Sequence, residues 1–329
     1  MDRRHFVCSV SGVLCAMSGP ARAQPAAQPR RLGVLHAGRP TPASDAAAFD
    51  AIIRPLRDLG YAEGRNLVIE RRYADGQPGR LPGFARELLA LNVEVILAVG
   101  SAAIQVAKDA TTSTPIVLFN NVDPVAEGFV QSLARPGGNI TGVLISPAAS
   151  LAGKRMELLA ELVPRATHFG LLMPGEWGAT TPQRLETRAA AAALGLSLDE
   201  VGVNDGDFAQ AFEALAALRP QALVVAASSG FVRDRRPIIA LAAKYRLPAI
   251  YEWPRQVRDG GLMSYGADDV ETYRQVSSYI DRIFKGDRPG DLPIWQPSRL
   301  RLVINRGTAK ALGITLPKTL LLRADEWIE

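Results

Sequence analysis

Short, nearly uninterrupted apolar runs recur along this chain and alternate with longer segments whose apolar residues return every three or four positions. The runs are Leu32–His36, Leu67–Arg71, Val93–Val99, Pro115–Asn120, Ile140–Ile145, Phe169–Met173, Leu196–Val203, Ala222–Ala227, Pro248–Tyr251, Leu262–Tyr265 and Leu300–Ile304. Several are apolar at both odd and even positions, as strands buried on both faces of a parallel sheet must be. The intervening segments carry helical stripes. Phe49, Ile52, Ile53, Leu56 and Leu59 line one face of the first, and Gly60 suits the position just past its end. Leu158, Leu159, Leu162 and Val163 line another. Such alternation predicts an α/β protein with doubly wound parallel sheets and right-handed crossovers.

One sheet of that many strands would be unusually wide, so the pattern predicts two lobes. The break falls at Ile145-Ser146-Pro147, after the turn-forming Pro136-Gly137-Gly138-Asn139. The last part, a helix over Val270–Phe284 and a loop at Lys285–Pro293, cannot form a domain alone. The expected first lobe is therefore 30–145 plus 262–290, and the second 146–261 plus 291–329, joined by a three-crossing hinge. No internal repeat supports this division; element order does.

The first residues change the picture of where the chain works. Arg3-Arg4, the short apolar stretch Phe6–Met17 and Ala21-Arg22-Ala23 have the three-part layout of a secretory signal peptide. The apolar stretch is too short to span a bilayer, which takes roughly 20 residues. The expectation is a leader over 1–23, cleavage near Ala23, and a soluble periplasmic protein. The arginine pair points to the twin-arginine route, with an ordinary Sec signal as the alternative. Cys15 follows Leu14, which argues against a lipoprotein anchor.

Composition narrows the chemistry. The chain is 47% hydrophobic and 22% charged, ordinary for a globular protein. Both cysteines, Cys8 and Cys15, fall in the leader, so the rest has no disulfide, thiol nucleophile or cysteine metal site. The formal charge of +5 is spread out. Its one cluster, Arg233-Asp234-Arg235-Arg236, contains an acid and reads as a solvated helix face, so no nucleic-acid partner is expected.

Ligands of open α/β sheets bind beyond the carboxyl ends of the strands. In the first lobe that rule selects His36 to Gly38, Gly100-Ser101-Ala102, and Asn120-Asn121-Val122-Asp123. In the second it selects Met173 to Trp177, Ser228-Ser229-Gly230 and Tyr251-Glu252-Trp253, with Ser146 and Ser264-Tyr265 at the hinge. Gly100-Ser101 is the best single site, because a buried strand ends where a helix begins. A helix N-terminus offers free N–H donors and partial positive charge to a carboxylate; an ordinary N-cap serine is the competing reading. Asp123-Pro124 reads as N-cap and first residue of a further helix, or as a ligand contact with Asn121. Trp177, Tyr251, Trp253 and Tyr265 are wall or packing aromatics. Glu176 and Glu252 read as solvated loop acids, with a cationic group as the alternative use.

Catalytic signatures are missing. Beyond the leader only His36 and His168 are histidines, and there is no H-E-x-x-H, G-x-S-x-G, G-x-x-x-x-G-K-[ST] or G-x-G-x-x-G. The expectation is a binding protein with no cofactor and no metal, an exported α/β enzyme being the remote alternative.

A family resemblance sharpens this. Leu59-Gly60-Tyr61-x-Glu63-Gly64-x-Asn66, Ile69-Glu70-x-Arg72, Leu81-Pro82, Asp123-Pro124-Val125 and Ser132 to Gly142 occur in order. Gly153-Lys154-Arg155, Gly260 to Gly266 and Leu322 to Glu326 follow. With these the chain resembles the ABC-transporter substrate-binding proteins of the group that includes tryptophan/tyrosine-binding components, over about Arg31 to Glu329. The resemblance implies a type I periplasmic binding-protein fold. It also implies capture of a small solute, an amino acid or other small carboxylate, for an inner-membrane ABC permease with its ATPase, by a monomeric protein. A solute sensor docking on a membrane receptor is the alternative. Carried over, the pocket falls on Gly100, Ser101, Ala102, Asp123, Ser146 and the strand ends of the second lobe; with the strand-end reading, Asn121 or Asp123 would hold a donor group, and Met173, Trp177, Ser228, Ser229, Tyr251 and Ser264 would close from the second lobe and hinge. Ser101 stands where many relatives have threonine, Asn120-Asn121 replaces a more apolar pair, and Ser228-Ser229 replaces a stretch that often holds aspartate.

Overall fold

The computed structural model describes residues 28–38, 53–121, 123–146, 151–204 and 206–329. The expected leader, Phe49, Ile52, Val122 and Pro147 lie outside these residues. The strands are β1 (Arg30–His36), β2 (Leu67–Tyr73), β3 (Val95–Val99), β4 (Ile116–Asn120), β5 (Ile140–Leu144), β6 (His168–Pro174), β7 (Ser197–Val203), β8 (Ala222–Val225), β9 (Ala249–Tyr251), β10 (Met263–Ala267), β11 (Leu300–Asn305) and β12 (Glu326–Ile328). All eleven expected runs are strands.

β1 to β5 form one sheet in the order β2-β1-β3-β4-β5, with every pairing parallel. The others form a second sheet, β12-β11-β10-β9-β8-β6-β7. Alternation along β3 explains the continuous apolar runs. Val95, Leu97 and Val99 enter one core and Ile96 and Ala98 the other, because successive side chains point to opposite faces. Helices cover both.

The helix Asp269–Phe284 packs Val276, Tyr279, Ile280, Ile283 and Phe284 into the first core, beside Leu32, Leu97 and Val117. The chain thus returns to the core of the first sheet. The bounds differ. β10 pairs with β9 in the second sheet, so the second crossing falls at Asp268 and not before 262. The first-lobe segment runs on to Trp295, which brackets the outer edge of β5: Leu144 N–H donates to Trp295 O at 2.9 Å, and Trp295 N–H to Gly142 O at 2.9 Å. An edge strand covered in this way cannot pair with another chain.

Topology also explains two features of the second sheet absent from the sequence reading. The returning chain re-enters where β10 left, with Leu300 opposite Ala267, so β11 runs antiparallel to β10. β12 is three residues long, too short to show a period, and pairs in parallel with β11.

One local expectation changes. Asp123-Pro124 opens a series of turns, not a helix: Glu127 N–H reaches Asp123 O at 3.0 Å and Phe129 N–H reaches Pro124 O at 2.8 Å. Gly128, at φ 70°, stops any helix there and lets Phe129 and Val130 turn into the core. Gly142 lies inside β5 opposite Leu118, within the expected run Ile140–Ile145.

Candidate ligand-binding cleft

The first-lobe rim is built by the ends of three neighbouring strands. Beyond β3, Gly100 takes φ 88° and serves as N-cap of the helix Ser101–Ala110, which no side chain caps. Ser101 is thus the first helical residue and not the cap, and the amides of Ser101, Ala102 and Ala103 have no acceptor within the helix. At the end of β4, Asn120 is 5% exposed. Its Oδ1 accepts from Asn121 N–H at 2.8 Å, and its Nδ2 donates to Ser101 Oγ at 2.9 Å. A backbone N–H can only donate, so the amide orientation is forced. Ser101 Oγ already accepts, and its own proton is left to donate elsewhere. Asn120 is one of the strand-end candidates but not of the carried-over pocket residues; the polar residue at the last, inward position of an apolar strand was the signal for it.

Asp123 takes the bland role. It is exposed, and Oδ1 accepts from Val125 N–H at 2.8 Å and Ala126 N–H at 3.3 Å, closing the turn. Asn121 lies on the rim, half-buried.

The second lobe meets this rim. Ser146, just past β5, donates from Oγ to Glu252 Oε1 beyond β9. A Cβ on Gly38 would lie 4.0 Å from Arg233 Nη1. Arg233 ends the helix Ser229–Arg233 and is paired with Asp234, Nε to Oδ1 at 2.9 Å. Ser228, half-buried and extended, is the N-cap of that helix without a side-chain bond.

His36 registers the closeness of the lobes. Its Nδ1 accepts from Gly38 N–H at 2.8 Å, and burial, then the Arg233 charge, lowers its pKa to about 4. Above pH 6.5 the ring is neutral folded and unfolded. As pH falls from 6.5 towards 4 the unfolded chain binds a proton that the folded ring refuses, so stability falls, by up to about 3 kcal/mol. In His36→Asn, the drop in unfolding free energy between pH 7 and pH 4.5, read by urea titration, should be smaller by about 2 kcal/mol. Equal drops in both proteins would refute this.

Other expected contacts are buried in the second-lobe core. Met173 is 6% exposed and packs inside β6. Tyr251 and Ser264 are register partners across β9 and β10, so they share a sheet face, and both are fully enclosed. The Tyr251 ring closes on Gly261, where a Cβ would come within 2.8 Å of it. Trp253 is also buried, whereas Trp177 is half-buried on the surface of that core, its carbonyl accepting from Arg184 Nη1 at 3.1 Å. Glu176 is exposed, as expected.

Glu252 is the reverse of the expected solvated acid. It is 2% exposed, and so is Arg155, whose Nη1 lies 4.0 Å from Glu252 Oε1 and donates to Tyr265 O at 3.2 Å. Burial raises the Glu252 pKa, opposed by Arg155 and Ser146, and burial lowers that of Arg155. Arg155 falls on the same helical stripe as Ala152, Leu159 and Leu162, all buried, and a charge on an apolar stripe was the legible signal. At the second crossing Arg255 Nε meets Asp269 at 2.5 Å and stacks 5.1 Å over Tyr273, while Arg301 meets Asp268 at 3.0 Å. Among the described residues no helix is long and apolar enough to cross a membrane.

The fold has close relatives among solved structures. A conserved domain protein from Vibrio cholerae O1 biovar El Tor is 26% identical with a TM-score of 0.75, covering 91% of this chain and all of that one. The ABC domain from Streptococcus pneumonia solved with L-Trp is 24% identical with a TM-score of 0.76, covering 92% of this chain and all of that one. In sequence, the tyrosine-binding protein of Clostridioides difficile strain R20291 is 26% identical over 268 residues, 81% of this chain and 76% of that one. Residues 41–328 match the family described as ABC transporter substrate binding protein, and the chain belongs to that family.

Proposed function

We propose that this protein captures an α-amino acid with an aromatic or other apolar side chain in the periplasm and delivers it to an ABC permease. The carrying observation is the oriented Ser101 hydroxyl at the uncapped start of the Ser101–Ala110 helix. A carboxylate placed there meets a donor fixed by Asn120, free amides and the positive end of the helix dipole. The tyrosine-binding relative supports the ligand class, and the leader read in residues 1–23 supports export. The second lobe closes over the side chain from Ser228 and Trp177. Closure is favoured only by contacts that the solute makes in the closed form and not in the open one.

Calorimetric titration of the purified protein with L-tyrosine, L-tryptophan and their carboxamides tests this. The acids should bind and the amides should bind more weakly. Ser101→Ala should weaken the acids by about tenfold, the worth of one charge-assisted hydrogen bond. Asn120→Leu should do the same and narrow the acid-over-amide preference, because the hydroxyl loses its orientation. Equal binding of acids and amides by the wild type would sink the carboxylate assignment.

A further inference from the structure

Among the described residues five buried side-chain polar atoms have no hydrogen-bond partner, and two of them, Glu252 Oε2 and Arg155 Nε, belong to the pair at the first crossing. Buried polar atoms in folded proteins are nearly always bonded. Arg155 does not complete the Glu252 shell: at 4.0 Å it supplies charge and no hydrogen bond. Ser146 occupies only Oε1. The result is a carboxylate 2% exposed with one oxygen unserved.

Its position is informative. Ser146 follows β5, Asn120 ends β4, and Ser101 follows β3, on three consecutive strands of the first sheet. Ile145 N–H donates to Asn120 O at 2.7 Å, tying the last two ends together. Neighbouring strands lie about 4.8 Å apart. The strands that lead to Ser101 and to Ser146, the residue bonded to Glu252, are therefore about two spacings apart. A small headgroup with an acceptor at one end and a donor at the other, each making a hydrogen bond of about 2.8 Å, spans a gap of that order.

We propose that Glu252, through Oε2, accepts the ammonium group of the solute, so that the cleft selects zwitterionic amino acids over simple carboxylic acids. This rests on the reading of Ser101 as the carboxylate donor. Arg155 is then a positioning residue: its charge favours the ionised form of Glu252, the form that accepts from an ammonium.

Calorimetry on the purified protein with four probes tests the proposal: L-tyrosine, L-tryptophan, 3-(4-hydroxyphenyl)propionate and 3-indolepropionate. The wild type should bind each amino acid at least about 30-fold tighter than its des-amino partner, the worth of a hydrogen bond to a charged group. Glu252→Gln, confirmed folded by circular dichroism, should lose most of that ratio by weakening the amino acids while leaving the des-amino acids within about threefold. A wild-type ratio near one overturns the proposal without any variant, and leaves the carboxylate reading intact if the des-amino acids bind. A Glu252→Gln variant that weakens all four probes equally also overturns it, since Glu252 would then only hold the lobes. Failure of all four to bind the wild type removes both the proposal and the reading beneath it.

Discussion

Glu252→Ala will lower the free energy of unfolding by about 3–5 kcal/mol at neutral pH, because it strands the Arg155 guanidinium in the interior. Both side chains are 2% exposed, and Glu252 is the carboxylate lying 4.0 Å from Arg155 Nη1. What remains for Arg155 is the Tyr265 carbonyl at 3.2 Å, a neutral acceptor, and the weaker Coulombic attraction of Glu186. Ser146 loses its acceptor as well. The cost comes from the uncompensated charge and not from the strength of the pair, so removing both charges should be far milder. Arg155→Met with Glu252→Leu should recover most of the stability lost by the single variant. Urea titrations of the three proteins measure this. A single-variant loss under about 1 kcal/mol, the scale of an exposed pair, would show that the two groups are not coupled. A double variant no more stable than Glu252→Ala would show the same.

Gly142→Ala will cost about 3 kcal/mol or more, combining backbone strain with overpacking against main chain. Gly142 has φ 152° and faces Leu118 in the β4–β5 register. A Cβ there would lie 2.5 Å from Leu118 N and closer still to its carbonyl oxygen. Backbone held in a parallel ladder cannot move aside as a flexible side chain can. The strands must separate, and their ends carry Asn120 and Ser146, so solute affinity should fall with stability. Gly138→Ala is the control. Its φ is 65° but nothing lies within 4 Å of the added methyl, so only the backbone cost of about 1 kcal/mol applies. If Gly142→Ala unfolds at the same urea concentration as Gly138→Ala, the close approach of β4 and β5 is not what requires glycine.

The rim of the candidate cleft was readable where a rule about strand ends applies to backbone. Gly100-Ser101 and Ser146 lie where that rule put them, because a strand followed by a helix must end at the carboxyl edge of its sheet. The same rule failed for Met173 and Tyr251, which sit at or near the carboxyl ends of β6 and β9 but turn inward, and the hinge residue Ser264, at the start of β10, is enclosed with Tyr251. Which face a terminal residue shows depends on cross-strand register, and register involves partners far away in the chain. Asp123 shows another limit: a side chain that bonds its own next turn is no longer available to a solute.

Along this chain, the order of apolar runs and helical stripes by itself determined the strands β1 to β11 and the division into two sheets. Those features depend on periodicity among near neighbours, which the sequence displays directly. Only the tertiary structure decided that β11 runs antiparallel, that Asn120 aims the Ser101 hydroxyl, and that Glu252 and Arg155 are buried together at the first crossing. Each joins residues separated by 19 to about 100 positions, and their environments exist only once strands and helices distant in the chain have packed together.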